Sequence, residues 1–124
     1  MLEDPPILTI KKAWDRPSAA KLARLKDVQT GQAVDAMDGR GGLDAAIKPL
    51  DIACCTVLGT AITCETGPND NLALLGALAL AKPGDVVVCA TEGFSRSAVF
   101  GDNTAIMAKN KGVAGVVIDG MMRD

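Results

Sequence analysis

Histidine is absent from the 124 residues. That removes the usual general base near neutral pH, the Ser-His and Cys-His couples, and imidazole ligation of zinc. Aromatic residues make up 2% of the chain, and 13 basic residues face 15 acidic ones for a net charge of −2. Without a basic stripe or stacking aromatics, nucleic acid is not an expected partner. The four cysteines, Cys54, Cys55, Cys64 and Cys89, lie in apolar stretches and never in C-x-x-C spacing. They read as buried, reduced thiols of a cytosolic protein, with adjacent Cys54 and Cys55 pointing to opposite faces of a strand. The longest apolar run, Leu72 to Ala81, falls short of the roughly 20 residues that span a bilayer. Asp4 and the Pro5-Pro6 pair do not make a signal peptide. The expectation is a soluble, cytoplasmic protein with no membrane segment.

What is present is a small-aliphatic core. Hydrophobic residues reach 48%, led by Ala, Leu and Val, which suits tight helix-on-sheet packing in one domain. Residues 1–16, with Pro5, Pro6 and Trp14, read as an arm, and 17–124 as the domain. Pro17-Ser18 opens a helical pattern running to Val28, and a second short helix covers Thr30 to Met37. Gly39-Arg40-Gly41-Gly42 breaks regularity and has neither the spacing nor the context of a phosphate loop. Pro49 to Thr63, rich in Ile, Val, Thr and Cys, predicts one or two strands, with Gly59 at a bulge or a close backbone approach. Asn69 or Asp70 then caps a buried helix over Asn71 to Ala81. Lys82-Pro83-Gly84-Asp85 turns into a fully buried strand, Val86 to Ala90. A loop over Thr91 to Gly101, a helix over Asn103 to Lys111 stopped by Gly112, and a strand over Gly115 to Asp119 complete the pattern. Helix and strand alternate, so parallel strands with right-handed crossovers follow.

In such a unit, loops at the carboxyl ends of the strands gather on one side and carry the ligand. Gly101-Asp102 and, twenty residues further on, Arg123-Asp124 both fall there. Each has two readings. Asp102 caps the following helix, or serves chemistry there, and the first amides of that helix suit an anion. Arg123-Asp124 is a solvated ion pair, or a guanidinium and a hard carboxylate aimed by the Val-Val-Ile strand, with Gly120 permitting close approach to a ligand. Oxygen donors with water suit Mg²⁺ or Mn²⁺, and no soft ligand set accompanies them. Ser95 and Ser97 lack a nucleophile elbow. Arg96 is a solvated charge or an anion contact, and Glu92 an optional acid/base. Met121-Met122 reads as packing.

Several stretches together resemble the 4-hydroxy-4-methyl-2-oxoglutarate aldolase family, which shares its fold with the regulator of ribonuclease activity A. They are Val34-Asp35-Ala36-Met37, Gly59-Thr60-Ala61, Gly84-Asp85-Val86-Val87-Val88, Gly101-Asp102, Gly112-x-x-Gly115-Val116-Val117-Ile118-Asp119-Gly120 and Arg123-Asp124. The similarity covers roughly residues 30–124, and its specific part is the interval between Gly-Asp and Arg-Asp. The resemblance implies an α/β fold of the three-layer ββα swivelling type, assembled as a homotrimer or a hexamer. It implies a class II pyruvate aldolase that uses Mg²⁺ or Mn²⁺ on a small α-keto acid and also decarboxylates oxaloacetate. Asp124 would ligate the metal and Asp102 would hold it through water. Arg123 would contact the substrate, and amides around Gly101, Asp102, Asn103 and Thr104 would bind the pyruvyl group. The ribonuclease regulators lack the intact Arg-Asp pair, so its presence favours the enzyme over a non-catalytic, protein-binding regulator. Family members continue past that pair with further strands. By resemblance, the 124 residues are then the N-terminal portion of the domain, completed by a second chain, or an inactive fragment.

Overall fold

A computed structural model describes residues 3–124, so the first two residues of the arm lie outside it. Helix α1 (Ala19–Ala23) is capped by Ser18, whose hydroxyl accepts from the Lys21 amide at 3.3 Å. It is shorter than the helical pattern to Val28, because residues 24–27 continue as turns. Helix α2 (Thr30–Ala36) matches its pattern, with Gln32 bonding back to the Gln29 amide at 3.2 Å. Next comes a 3₁₀ turn, Ile52–Cys54, opened by Asp51, whose carboxylate accepts from the Ala53 amide at 2.8 Å. The stretch 49–63 therefore yields one strand, β1 (Thr60–Glu65), and Cys54 and Cys55 sit exposed outside it. The expectation of buried thiols on a strand fails for these two. Ile-Ala-Cys-Cys has strand-like composition, but the Asp51 side chain captures the local backbone first. Of the other two cysteines, Cys64 is partly buried and Cys89 buried.

Helix α3 (Leu72–Leu80) carries β1 to β2 (Asp85–Ala90), and Asp70, just ahead of the helix, accepts from the Leu72 amide at 2.8 Å. Leu74, Ala77 and Leu78 of α3 are buried. Strand β3 (Ala98–Phe100) lies within the stretch read as a loop, and α4 (Asp102–Asn110) follows it. The Gly112 and Val113 amides fold back on the Lys109 and Ala108 carbonyls, both at 3.0 Å, with Gly112 at φ 70°. That left-handed stop is what a glycine after a helix supplies. Strands β4 (Gly115–Ile118) and β5 (Met121–Met122) finish the order.

Strand β2 is the middle of a three-stranded parallel sheet, with β1 on one side and β4 on the other. Val87 pairs with Ile62 and Val116, and Cys89 with Cys64 and Ile118. This row packs with α3 and with Ala108 of α4 to form the core. Gly59 makes the close approach anticipated for it, since a side-chain carbon there would run into the Gly84 carbonyl. Strands β3 and β5 form a separate parallel pair. Three and two residues are too few to show alternation, which is why neither strand was foreseen.

Residues 3–16 contain no helix or strand, yet they dock. Asp85 is only 2% exposed and is held by a fork from Arg16, Nη2 to Oδ2 being 2.9 Å, and by the Lys82 amide at 2.7 Å. The Arg16 guanidinium also lies 4.9 Å from the Trp14 ring centre. Burial pushes the Asp85 carboxyl up, but Arg16 and the Lys82 amide outweigh it and hold the group below its ordinary value. The arm then roofs a cavity of about 620 Å³ over β1 and α3, with Leu8 and Ile10 against Gly76.

Candidate functional site

The carboxyl end of β4 determines where the last residues go. Just past Ile118, Asp119 turns its carboxylate onto the loop after β2. Oδ1 accepts from the Thr91 amide at 2.6 Å and the Thr91 hydroxyl at 2.8 Å, and Oδ2 from the Gly93 amide at 3.1 Å. Burial raises the Asp119 carboxyl, but these donors prevail and keep it below its usual range. Thr91 itself is fully buried, so Asp119 is the partner that satisfies its hydroxyl. Gly120 comes next, and a side-chain carbon there would overlap the Thr91 hydroxyl and stand 3.0 Å from the Phe94 carbonyl. Gly120 therefore makes room for this close protein contact. The clamp was missed from sequence because an acidic residue after a strand looks like ordinary loop polarity.

From Gly120 the chain runs as β5 beside β3, and the Arg123 amide donates to the Phe100 carbonyl at 3.0 Å. Met122 packs on the core, while Met121 is half exposed. The Arg123-Asp124 pair is thereby laid against Gly101. A side-chain carbon on Gly101 would lie 3.3 Å from Asp124 Oδ2 and 3.4 Å from Arg123 Nε. Arg123 Nε and Asp124 Oδ2 are 3.3 Å apart, and both side chains are largely open to solvent.

Gly101, and not Asp102, is the capping position of α4, because Asp102 already has helical geometry. The Thr104 hydroxyl accepts from the Gly101 amide and donates to the Gly101 carbonyl, each at 2.8 Å. Asp102 Oδ1 instead accepts from the amide of its neighbour Asn103 at 2.6 Å. Gly101, Asp102, Asn103 and Thr104 thus share one helical turn, with Arg123 and Asp124 packed on its first residue. The side chains left outside are Glu92, Arg96 and Ser97. Glu92 sits in a left-handed turn at φ 58°, near Gly67 of another loop. Arg96 stacks 5.3 Å from the Phe94 ring centre. The buried Ser97 Oγ has no bonding partner among the described residues.

Asp102 and Asp124 each carry hard carboxylate oxygens, the donor type Mg²⁺ and Mn²⁺ prefer; Asp124 lies against Gly101, and Asp102 is the next residue along α4. Among the described residues no group of three or more His, Cys, Asp or Glu side chains could hold an ion. Nor, among them, is any helix long and apolar enough to cross a membrane.

A Halalkalibacterium halodurans protein with the provisional name 4-hydroxy-4-methyl-2-oxoglutarate aldolase is 40% identical over 103 residues, covering 83% of this chain and 49% of that protein. An uncharacterised Methanocaldococcus jannaschii protein is 40% identical over 79 residues, covering 63% of the chain and 38% of that protein. The chain thus spans half or less of the curated relatives it matches. Among solved structures, Streptomyces coelicolor RraAS2, described as an unusual member of the RNase ES inhibitor RraA family, superposes with a TM-score of 0.77. It is 29% identical, over 90% of this chain and 58% of that one. An uncharacterised Pseudomonas syringae protein gives 0.71 at 26% identity, over 91% of this chain and 53% of that one. The RraA-like family profile, described as Aldolase/RraA, matches residues 30–124, which include every strand and the whole turn facing Arg123 and Asp124; the chain belongs to that family.

Proposed function

We propose that this chain carries the pyruvate-forming site of a divalent-metal-dependent aldolase. The substrate is 4-hydroxy-4-methyl-2-oxoglutarate or a related 4-hydroxy-2-oxo diacid, with oxaloacetate decarboxylation as a side activity. One observation carries the reading: Arg123 and Asp124 are laid by β5 against Gly101, the residue that opens α4. The name of the H. halodurans relative supports the same chemistry.

In this reaction the bond between C3 and C4 of the substrate breaks. The C4 hydroxyl loses its proton, and the bonding pair moves onto the pyruvyl half as an enolate, which is then protonated at C3. A bound Mg²⁺ or Mn²⁺, held by Asp124 directly and by Asp102 through water, would supply electrophilic stabilisation of the keto acid. Arg123 places a fixed positive charge where the enolate oxygen develops; its guanidinium lies beside Asp124 but its side chain is largely open to solvent, so it can turn to a substrate carboxylate. Asp102 has a second role. Its carboxylate occupies the Asn103 amide, so turning towards a cation frees that amide for the substrate's anionic end. Cation and substrate would then bind cooperatively. With no histidine in the chain, proton transfer falls to a carboxylate or to water.

The test is pyruvate release from oxaloacetate with Mg²⁺, after chelation, and in Arg123→Ala and Asp124→Ala variants. The reading predicts metal-dependent release that either variant reduces at least about 100-fold, the scale for losing a charge made for the transition state. Release that ignores both substitutions removes the assigned roles. A second reading, a non-catalytic regulator, draws on the inhibitor-family description of the S. coelicolor neighbour. It predicts no metal-dependent release, and partner capture that is indifferent to Asp124→Ala.

A further inference from the structure

Two cysteines that the proposed chemistry does not use face each other across the central sheet. Cys64 of β1 is the register partner of Cys89 of β2 in a parallel pair, and both are free thiols. Register partners in a parallel ladder point to the same face, and adjacent strands lie about 4.8 Å apart, inside the 4.4–6.8 Å Cα window of a disulfide. Cys89 is buried in the core at 2% exposure, whereas Cys64 also lines the 620 Å³ cavity under the arm. One sulfur of the pair is thus reachable by a small solute while the other waits behind it. We propose that Cys64 and Cys89 form a peroxide-responsive pair that closes into a reversible cross-strand disulfide.

The step balances with hydrogen peroxide as the oxidant. A thiolate of the pair attacks one peroxide oxygen, giving a sulfenic acid and expelling hydroxide, which takes up a proton. The neighbouring thiol then attacks that sulfur, its proton leaving with the hydroxyl as water. Two thiols and one peroxide become one disulfide and two waters. Register partners have β-carbons spaced near the strand separation, beyond the mean of about 3.8 Å in disulfides. The strands must pinch to close the bond, so it reopens readily to reductants. The pairing of the two sulfurs pushes the Cys64 thiol up and holds the Cys89 thiol below its usual value, so one sulfur of the pair is favoured as the thiolate. The bond would form one residue before the carboxyl ends of β1 and β2, where the Thr66 amide already donates to the Ala90 carbonyl at 2.9 Å. Oxidation would stiffen the strand ends that lead into the Asp119-clamped loop.

The experiment uses the full chain carrying Cys54→Ser and Cys55→Ser, which leaves only this pair. Cleavage after Glu65 and Glu92 separates Cys64 from Cys89 unless they are bonded. After peroxide, the expected result is one linked peptide pair 2 Da below the sum of its reduced peptides, loss of both titratable thiols, and recovery with dithiothreitol. Linking in the folded chain should outpace linking in concentrated urea at least tenfold, since the register holds the sulfurs together. Equal rates in the two, +32 Da sulfinic acid on Cys64 without a link, or two thiols still titratable on unfolding would each overturn the proposal.

Discussion

Replacing Asp119 tests the strut that connects the central sheet to the candidate site. In Asp119→Ala the Thr91 amide and hydroxyl lose their acceptor, and so does the Gly93 amide. Thr91 is fully buried, so its two donors cannot simply turn to water. Stranding buried donors costs about 1–3 kcal/mol each, but Asp119 faces solvent on its far side and water can refill part of the gap. A loss of about 2–3 kcal/mol at pH 7 follows from these terms. Asp119→Asn should lose about half as much, because its carbonyl still accepts from Thr91 while its amide opposes the Gly93 donor. Acid decides the mechanism. The carboxyl is held below its unfolded value, so its contribution is complete above the unfolded pKa of about 3.9 and is lost as pH falls through the folded value. The gap between wild type and Asp119→Asn should thus be flat from pH 7 to 5 and narrow below about pH 4. Urea unfolding followed by circular dichroism measures it. A variant within 0.5 kcal/mol of wild type at pH 7, or a gap unchanged into acid, would refute the clamp.

Three further substitutions probe other joints. Arg16→Ala leaves Asp85 buried with only the Lys82 amide. It should cost about 3 kcal/mol, the low end for a broken buried pair, since the guanidinium is 23% exposed; Asp85→Asn in the same chain should recover part of the loss in urea titrations. Gly120→Ala drives a methyl into the Thr91 hydroxyl, so thermal unfolding should register an overpacking loss of about 1–3 kcal/mol, against less than about 0.5 for the exposed Gly31→Ala. Leu78→Ala empties a fully buried site in α3 and should cost about 2–5 kcal/mol by the same measurement.

How legible the molecule was from sequence follows from what organises each part. Strand β2, α3, α4 and β4 stood out because runs such as Val86–Cys89 are bounded by Gly84 and Gly112 at left-handed turns. Parallel topology led to the expectation that Asp102 approaches Arg123-Asp124. The observed contacts of that pair are with Gly101, and they arise from the β3–β5 pairing that sequence did not reveal, while the Asp102 carboxylate bonds the Asn103 amide. Where a side chain overrules local composition, the reading failed. Asp51 converts Ile-Ala-Cys-Cys into an exposed 3₁₀ turn. Thr104 takes the Gly101 amide and leaves Asp102 inside the helix. Strands β3 and β5 exist through their pairing with each other rather than through any pattern of their own. The docking of the arm depends on Arg16 meeting Asp85, which is 69 residues away in sequence.

The central claim, that Asp102 and Asp124 together receive a divalent cation at the start of α4, is met most directly with Mn²⁺. In amide-resolved NMR of the ¹⁵N-labelled chain, substoichiometric Mn²⁺ should selectively broaden Gly101 to Thr104, Arg123 and Asp124, and Asp124→Ala should abolish the effect. Broadening centred on other acidic residues, such as Asp38 and Asp44, with the α4 turn left sharp, would contradict the account.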